Sequence, residues 1–251
     1  MTKFEALRET ALVARDELSR RAALARQPGP VGVSGPSLRL LLAELGALGR
    51  RKGAVEVSPA RSPQPVLLLP GFGSHPLRLR GLTRALRAAG HSPHDWGLGF
   101  NLGPTAENFA FLLARAENLA ARHGAPVALV GWSLGGLFAR EIARQRPEAI
   151  SMVITMGTPF SGDRRANNAW RAYQMITGHK VDEPPIPCDF AAKPPVPTVA
   201  LWSPRDGVVS PRSACGKPDE RDRAVAMRCS HLGFSSDPEV IGEVLRQLDL
   251  G

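Results

Sequence analysis

The sequence predicts an α/β fold: a mostly parallel central sheet flanked by helices, preceded by a helical extension and interrupted by one lid insertion. Three observations lead there. From Pro65 onward, short apolar runs alternate with segments of helical periodicity, as repeated βα units require. The runs Val66-Leu67-Leu68-Leu69 and Val127-Ala128-Leu129-Val130 are continuous rather than alternating, which marks strands buried on both faces. Finally, Gly131-Trp132-Ser133-Leu134-Gly135-Gly136 lies between such a run and a helical segment, so a serine occupies a sharp strand-to-helix turn.

Length and composition fit one domain with additions. With 251 residues, 43% of them hydrophobic, the chain can bury one full α/β core but not two. Residues 1–60 read as an N-terminal helical extension, and 61–251 as the catalytic domain, with 161–197 as its lid or cap.

In chain order, Phe4, Leu7, Ala11, Ala14 and Leu18 recur at helical spacing among charged residues. The resulting helix fades at Gln27-Pro28-Gly29-Pro30 and is expected to cover the core, with a dimer contact or a lipid-surface contact as the alternatives. A second helix starts near Ser37, and a short strand is expected at Ala54–Val57. After the Val66–Leu69 strand, Pro76–Ala89 reads as helix, His91–Trp96 as an extended piece, and Thr105–His123 as a long helix. Beyond the serine turn come strands at Ser151–Met156, Thr198–Trp202 and Ala224–Arg228. A final helix follows from Asp237, whose carboxylate suits an N-cap. Ser161–Pro197 breaks this rhythm with Pro184, Pro185, Pro187, Pro194 and Pro195 around a short helix at Ala166–Thr177. Proline cannot donate to a ladder, so this stretch belongs over the sheet end rather than inside it.

The net charge of +9 raises the question of nucleic acid, yet the arginines are scattered and do not interleave with aromatics. A solvated basic surface is expected, with no nucleic-acid partner; peripheral attraction to an anionic membrane is the one macromolecular contact the charge leaves open. No run approaches the ~20 apolar residues of a membrane span, and the first residues lack a secretory h-region. A soluble, cytoplasmic protein is therefore expected. Cys188, Cys215 and Cys229 suggest neither a disulfide scaffold nor a metal site. Cys215 and Cys229 bracket the segment before His231, and either a cross-link or two thiols fits that spacing.

The chemistry follows from order. A serine hydroxyl is a weak nucleophile until a base takes its proton. Asp206 follows the strand ending at Trp202, and His231 follows the strand ending near Arg228. Ser133, Asp206, His231 is the order in which a serine turn on a parallel sheet meets partners from later loops on the same edge. His231 would take the Ser133 proton, and Asp206 would hold the other imidazole nitrogen. Asp163 is the substitute acid and His75 the competing histidine. The glycine-rich turn Pro70-Gly71-Phe72-Gly73-Ser74 can aim backbone N–H groups at an oxyanion, with Phe72 and Leu134 as the expected donors. Phe72, Trp132, Phe160 and Tyr173 are candidates for an apolar acyl pocket.

On Pro70-Gly71-Phe72-Gly73, Gly131 to Gly136, Gly157-Thr158-Pro159-Phe160, Asp206-Gly207-Val208-Val209 and Ser230-His231-Leu232-Gly233, the chain resembles the α/β-hydrolase superfamily and, within it, bacterial serine esterases and lipases. The resemblance spans about residues 65 to 235. Trp96, Gly99, Asn101, Gly103 and Pro104 are similar to the loop that reaches toward the cleft in such proteins. Residues 1–60 contribute nothing to the resemblance, and the superfamily's early antiparallel strands are not evident. The resemblance implies a serine carboxylic ester hydrolase that forms an acyl-enzyme on Ser133 and needs no cofactor or metal, with a small-molecule ester or lipid as substrate. Serine at the turn disfavours the aspartate-nucleophile relatives. An acyltransferase would use the same three residues, and a noncatalytic binding protein on this fold is the alternative of a different class.

Overall fold

A parallel sheet must be covered on both faces, and the apolar runs of this chain meet that demand from both sides. The computed structural model describes residues 3–47, 53 and 55–250. The chain begins with two helices, α1 (Lys3–Ala25) and α2 (Leu38–Ala47). The βα region then runs β1 (Pro65–Leu69), α3 (Arg80–Ala88), β2 (Ser92–Asp95), α4 (Ala106–His123), β3 (Val127–Trp132), α5 (Leu134–Gln145) and β4 (Ile150–Met156). After a long segment that carries α6 (Trp170–Thr177) follow β5 (Thr198–Trp202), α7 (Pro211–Cys215), β6 (Arg223–Ala226) and α8 (Pro238–Leu248).

The six strands form one sheet in the order β2-β1-β3-β4-β5-β6, and every pairing is parallel. Strand order reverses at β1, so β1 and β3 lie side by side where crossovers depart in opposite directions; in open α/β sheets that crevice, at the carboxyl ends of the strands, is where sites form. Alternate residues of the buried strands feed two cores. Val66, Leu68, Val130 and Ile154 pack with Leu82 and Leu86 of α3 and Val240, Ile241 and Val244 of α8. Leu67, Leu69, Leu129 and Val153 pack with Leu112 and Leu119 of α4 and Phe138 and Ile142 of α5.

Local chemistry sets the boundaries. Thr105 and Asn108 form a reciprocal capping box at the start of α4, and Gly124 ends that helix in the left-handed conformation. Asp237 caps α8 by accepting from the Glu239 N–H, with Pro238 in the first turn. β2 contains Pro93 and lies at the sheet edge, where a missing N–H costs no ladder bond.

Four expectations need revision. The segment at 76–89 is a 3-10 turn, Pro76–Leu79, followed by α3, because His75 caps the turn by accepting from the Leu77 N–H. Ala54 lies outside the described residues, and Val55 to Val57 form no strand; Val55 and Val57 instead lean on the core edge. The last strand ends at Ala226, two residues before the expected Arg228. The described part of the α1 stripe does not reach the core: Ala11, Ala14 and Leu18 are exposed, while the side chains of Phe4 and Leu7 lie outside the described residues.

α1 docks through polar groups on α6. Arg20 Nη1 donates to the Gly178 carbonyl (2.8 Å) and Arg21 Nη1 to that of Ile176 (2.7 Å), so cations meet the carboxyl end of α6, where the helix dipole favours them. Gln174 Nε2 donates to the Leu24 carbonyl (2.6 Å). Among the described residues no helix is long and apolar enough to cross a membrane.

The segment between β4 and β5 is pinned by a buried arginine. Arg140 of α5 is fully buried and donates to the carbonyls of Phe190 (2.7 Å), Ala191 (3.2 Å), Ala192 (3.1 Å) and Glu220 (2.9 Å), with its guanidinium 4.1 Å from the centre of the Phe160 ring. Burial pushes its pKa down to about 10, and the carbonyl oxygens compensate the charge it keeps. Replacing Arg140 by alanine removes that donor from four carbonyls, those of Phe190 and Glu220 buried and those of Ala191 and Ala192 half-buried. We expect at least about 3 kcal/mol of lost unfolding free energy in urea titration; a loss under about 1 kcal/mol would mean that water re-satisfies the carbonyls.

Candidate active site

β3 ends at Trp132 and α5 begins at Leu134, so one residue makes the turn. Ser133 has φ 54° and ψ −122°, and it is the only non-glycine residue with positive φ among the described residues. Such a conformation costs of order 1–3 kcal/mol and persists only where the surroundings enforce it. Here they do: the Ser133 N–H donates to the Met156 carbonyl (2.8 Å), and the helix start packs directly on β1. A Cβ on Gly135 would collide with the Leu69 carbonyl oxygen, and one on Gly131 would come within 2.5 Å of the Gly135 carbonyl. The glycines are therefore required by close approach, and the turn raises Ser133 Oγ above the sheet edge.

The acid comes from the loop after β5. Asp206 is fully buried; its Oδ1 accepts from the N–H groups of Val208 (2.8 Å) and Val209 (2.7 Å), which fixes the carboxylate from within its own turn. Its Oδ2 lies 2.8 Å from His231 Nδ1, and His231 Nε2 lies 3.1 Å from Ser133 Oγ. An ionised carboxylate only accepts, so Nδ1 carries the hydrogen toward Asp206 and Nε2 is left to accept from the serine hydroxyl. His231 is 4% exposed and sits beside the rings of Trp132 and Phe234. Two further bonds hold its loop: Trp132 Nε1 donates to the His231 carbonyl (3.1 Å), and Ser203 Oγ to that of Cys229 (2.6 Å).

The loop after β1 completes the edge. Asn101, fully buried, donates through Nδ2 to the Pro70 carbonyl (2.7 Å); its backbone carbonyl accepts from Gly73 N–H (2.7 Å), and its N–H donates to Ser74 (3.0 Å). Among the described residues, neither the Phe72 nor the Leu134 N–H donates to a protein acceptor. Both remain available beside Ser133.

A cavity of about 70 Å³ opens at Ser133. Phe72, Leu134, Leu137, Val209, Tyr173 and Phe190 give it its apolar wall. Tyr173 comes from α6, its ring 5.5 Å from that of Phe72; burial pushes its phenol well above the ordinary value, and its hydroxyl contacts His179 Nδ1 at 3.3 Å. Two aromatics expected in this wall lie elsewhere. Trp132 is buried beneath the histidine loop, which its indole N–H holds. Phe160 is buried between the Arg140 guanidinium and the backbone at Gly216.

The competing residues stay apart from this cluster. Asp163 is exposed and accepts from the Arg165 N–H, and His75 caps its own turn. The cross-link between Cys215 and Cys229 is absent: all three cysteines are thiols. Cys229 packs in the core near Phe234, while Cys215 closes α7 with its carbonyl bonded to Arg221. A further carboxylate at the site gave no signal in the sequence. Glu44, inside the apolar stripe of α2, accepts hydrogen bonds from Gly207, His231 and Leu232.

A family model described as the alpha/beta hydrolase fold matches residues 64–176. The chain has the α/β-hydrolase fold. No curated protein sequence matches it. Among solved structures, the chain is similar to one described with LipS and LipT, two metagenome-derived lipolytic enzymes, at TM-score 0.54 and 15% identity, covering 80% of this chain and 100% of that one. It is similar to a lipase-esterase related protein from Clostridium acetobutylicum at TM-score 0.55 and 12% identity, covering 78% and 99%. A membrane phospholipase A, a bacterial virulence factor, matches over 99% of this chain and 98% of its own, at TM-score 0.51 and 17% identity. At these identities the likeness is one of fold.

The close approach at the serine turn is testable without a substrate. Gly135→Ala should lose at least about 3 kcal/mol of stability, because backbone must move to admit the methyl group. Gly242→Ala, in α8 with nothing within 4 Å of the added carbon, should gain about 0.5–1 kcal/mol. Equal effects of the two substitutions in urea titration would contradict the packing described.

Proposed function

We propose that this protein is a serine carboxylic ester hydrolase, an esterase or lipase, that works through an acyl-enzyme on Ser133. The observation that carries the reading is the chain of contacts Asp206 Oδ2, His231 Nδ1, His231 Nε2, Ser133 Oγ at 2.8 and 3.1 Å, at the mouth of an apolar cavity. Ser133 Oγ attacks the ester carbonyl carbon while His231 Nε2 takes its proton, and Asp206 stabilises the imidazolium so formed. The carbonyl oxygen becomes an oxyanion facing the Phe72 and Leu134 N–H groups. Collapse breaks the bond to the alkoxy oxygen, which leaves as alcohol with the proton from His231. Water then repeats the sequence: His231 removes its proton, the hydroxyl adds to the acyl carbon, and the acid departs as the proton returns to Ser133.

The wall of Phe72, Tyr173 and Phe190 favours an apolar acyl group, and the phenol of Tyr173 stays neutral because burial penalises its anion. Residues 161–197 act as a cap in this reading, since Arg164, Tyr173 and Phe190 of that segment line the cavity. A volume of about 70 Å³ holds roughly five to seven waters by the same measure, which suits a short acyl chain unless the cap moves.

Labelling with a fluorophosphonate and peptide mapping should place the adduct on Ser133, and Ser133→Ala should lose ester cleavage. Asp206→Asn should lower kcat by about 10⁴-fold through the wrong imidazole tautomer. Across p-nitrophenyl esters, kcat/KM should favour butyrate over palmitate. An adduct on another residue, or ester cleavage retained by Ser133→Ala, would sink the mechanism; a preference for palmitate would show that the cap opens.

A further inference from the structure

The extension at 1–60 carries a side chain at the candidate site that is bonded as heavily as Asp206 itself. Glu44 of α2 is only 3% exposed. Its Oε1 accepts from the N–H groups of Gly207 (2.9 Å) and His231 (2.6 Å), and its Oε2 accepts from the Leu232 N–H (2.9 Å). Gly207 directly follows Asp206, so one carboxylate joins the amide beside the acid to the amide of the base. A buried carboxylate without partners would be strongly penalised, and three N–H groups supply that compensation through charge-assisted bonds.

Packing agrees with the bonding. α2 lies so close to the acid loop that a Cβ on Gly207 would meet the Leu40 backbone and come within 2.9 Å of Glu44 Cγ. Asn168 extends the contact, donating through Nδ2 to the carbonyls of Pro36 (3.0 Å) and Gly207 (2.8 Å). The acid and base loops leave different strands, β5 and β6, and the relative placement of those loops sets both the Asp206 to His231 and the His231 to Ser133 distances. Glu44 bonds the backbones of both loops at once.

We propose that Glu44 is a positioning residue for the chemistry of Ser133, acting through the Asp206 and His231 loops, and that the N-terminal extension is part of the active assembly. The proposal rests on the ester-hydrolase reading above. A misplacement of the base by about 1 Å can cost on the order of 10²-fold in rate. Glu44→Ala removes every acceptor; Glu44→Gln keeps one oxygen, turns an N–H₂ toward the remaining amide, and is the variant best placed to fold.

The test uses the full chain and p-nitrophenyl butyrate, with competent sites counted by fluorophosphonate titration so that unfolded protein drops out of kcat. Per titrated site, kcat should fall on the order of 10²-fold in Glu44→Ala and about tenfold in Glu44→Gln, with KM changed far less. Hydrogen exchange should accelerate in peptides spanning 203–209 and 229–233 and stay constant in β1 and β3. Overturning results are a kcat per titrated site within about twofold of wild type in both variants, or unchanged exchange in those two peptides. Wild-type turnover that survives Ser133→Ala would instead overturn the ester-hydrolase reading, and the positioning role with it, a failure the Ser133→Ala control separates from the others.

Discussion

One backbone conformation organises the rest of the structure: the residue between β3 and α5 is held at φ 54°. Nothing in serine favours that region, so the surroundings must supply the energy. They do so through a sheet whose interior strands are packed on both faces, through the Ser133 N–H bonded to β4, and through glycines that let α5 rest against the end of β1. The strain is small beside the apolar burial on either side of the sheet, yet it determines where the hydroxyl points. Every other part of the site is placed relative to that hydroxyl.

Parallel strands bring their following loops to one edge, and this chain uses four of them. The loop after β1 leaves two amide N–H groups near Ser133 without protein acceptors when taken with the start of α5. The loops after β5 and β6 carry Asp206 and His231, and the loop after β4 begins the segment whose α6 and Phe190 close the cavity. Loops are the most mobile parts of such folds, so hydrogen-bonding distances among three of them require restraint from outside. Trp132, Ser203 and Asn101 provide part of it from the sheet and its edge. Glu44 provides more from a helix far upstream in sequence, and Arg140 holds the backbone at 190–192 that carries Phe190.

Much of this was legible in the sequence, and the limits have physical causes. Continuous apolar runs identify doubly covered strands because burial on both faces leaves no polar alternation, and the serine turn announces itself through glycines forced by close approach. The chain order of Ser133, Asp206 and His231 follows from parallel topology, which makes the later loops converge on the same edge. Pocket walls are harder. Phe72 and Tyr173 reach the cavity while Trp132 and Phe160 do not, and residue type alone does not say which side of a strand or loop an aromatic faces. The stripe on α1 has helical spacing, yet Ala11, Ala14 and Leu18 remain exposed because its docking face is the polar one built from Arg20, Arg21 and Leu24. Glu44 left no trace at all, since a carboxylate bonded to amides 163 and 187 residues away looks like any other acidic residue on a helix.

The acyl-enzyme is the species on which the proposed function stands or falls. Rapid acid quenching of the full chain with p-nitrophenyl butyrate, followed by digestion and mass spectrometry, reads it directly. A butyryl group on the peptide containing Ser133, formed within the first turnover and lost as acid is released, is the expected result. Steady ester turnover with no acyl group on Ser133, or with the acyl group on another residue, would contradict it.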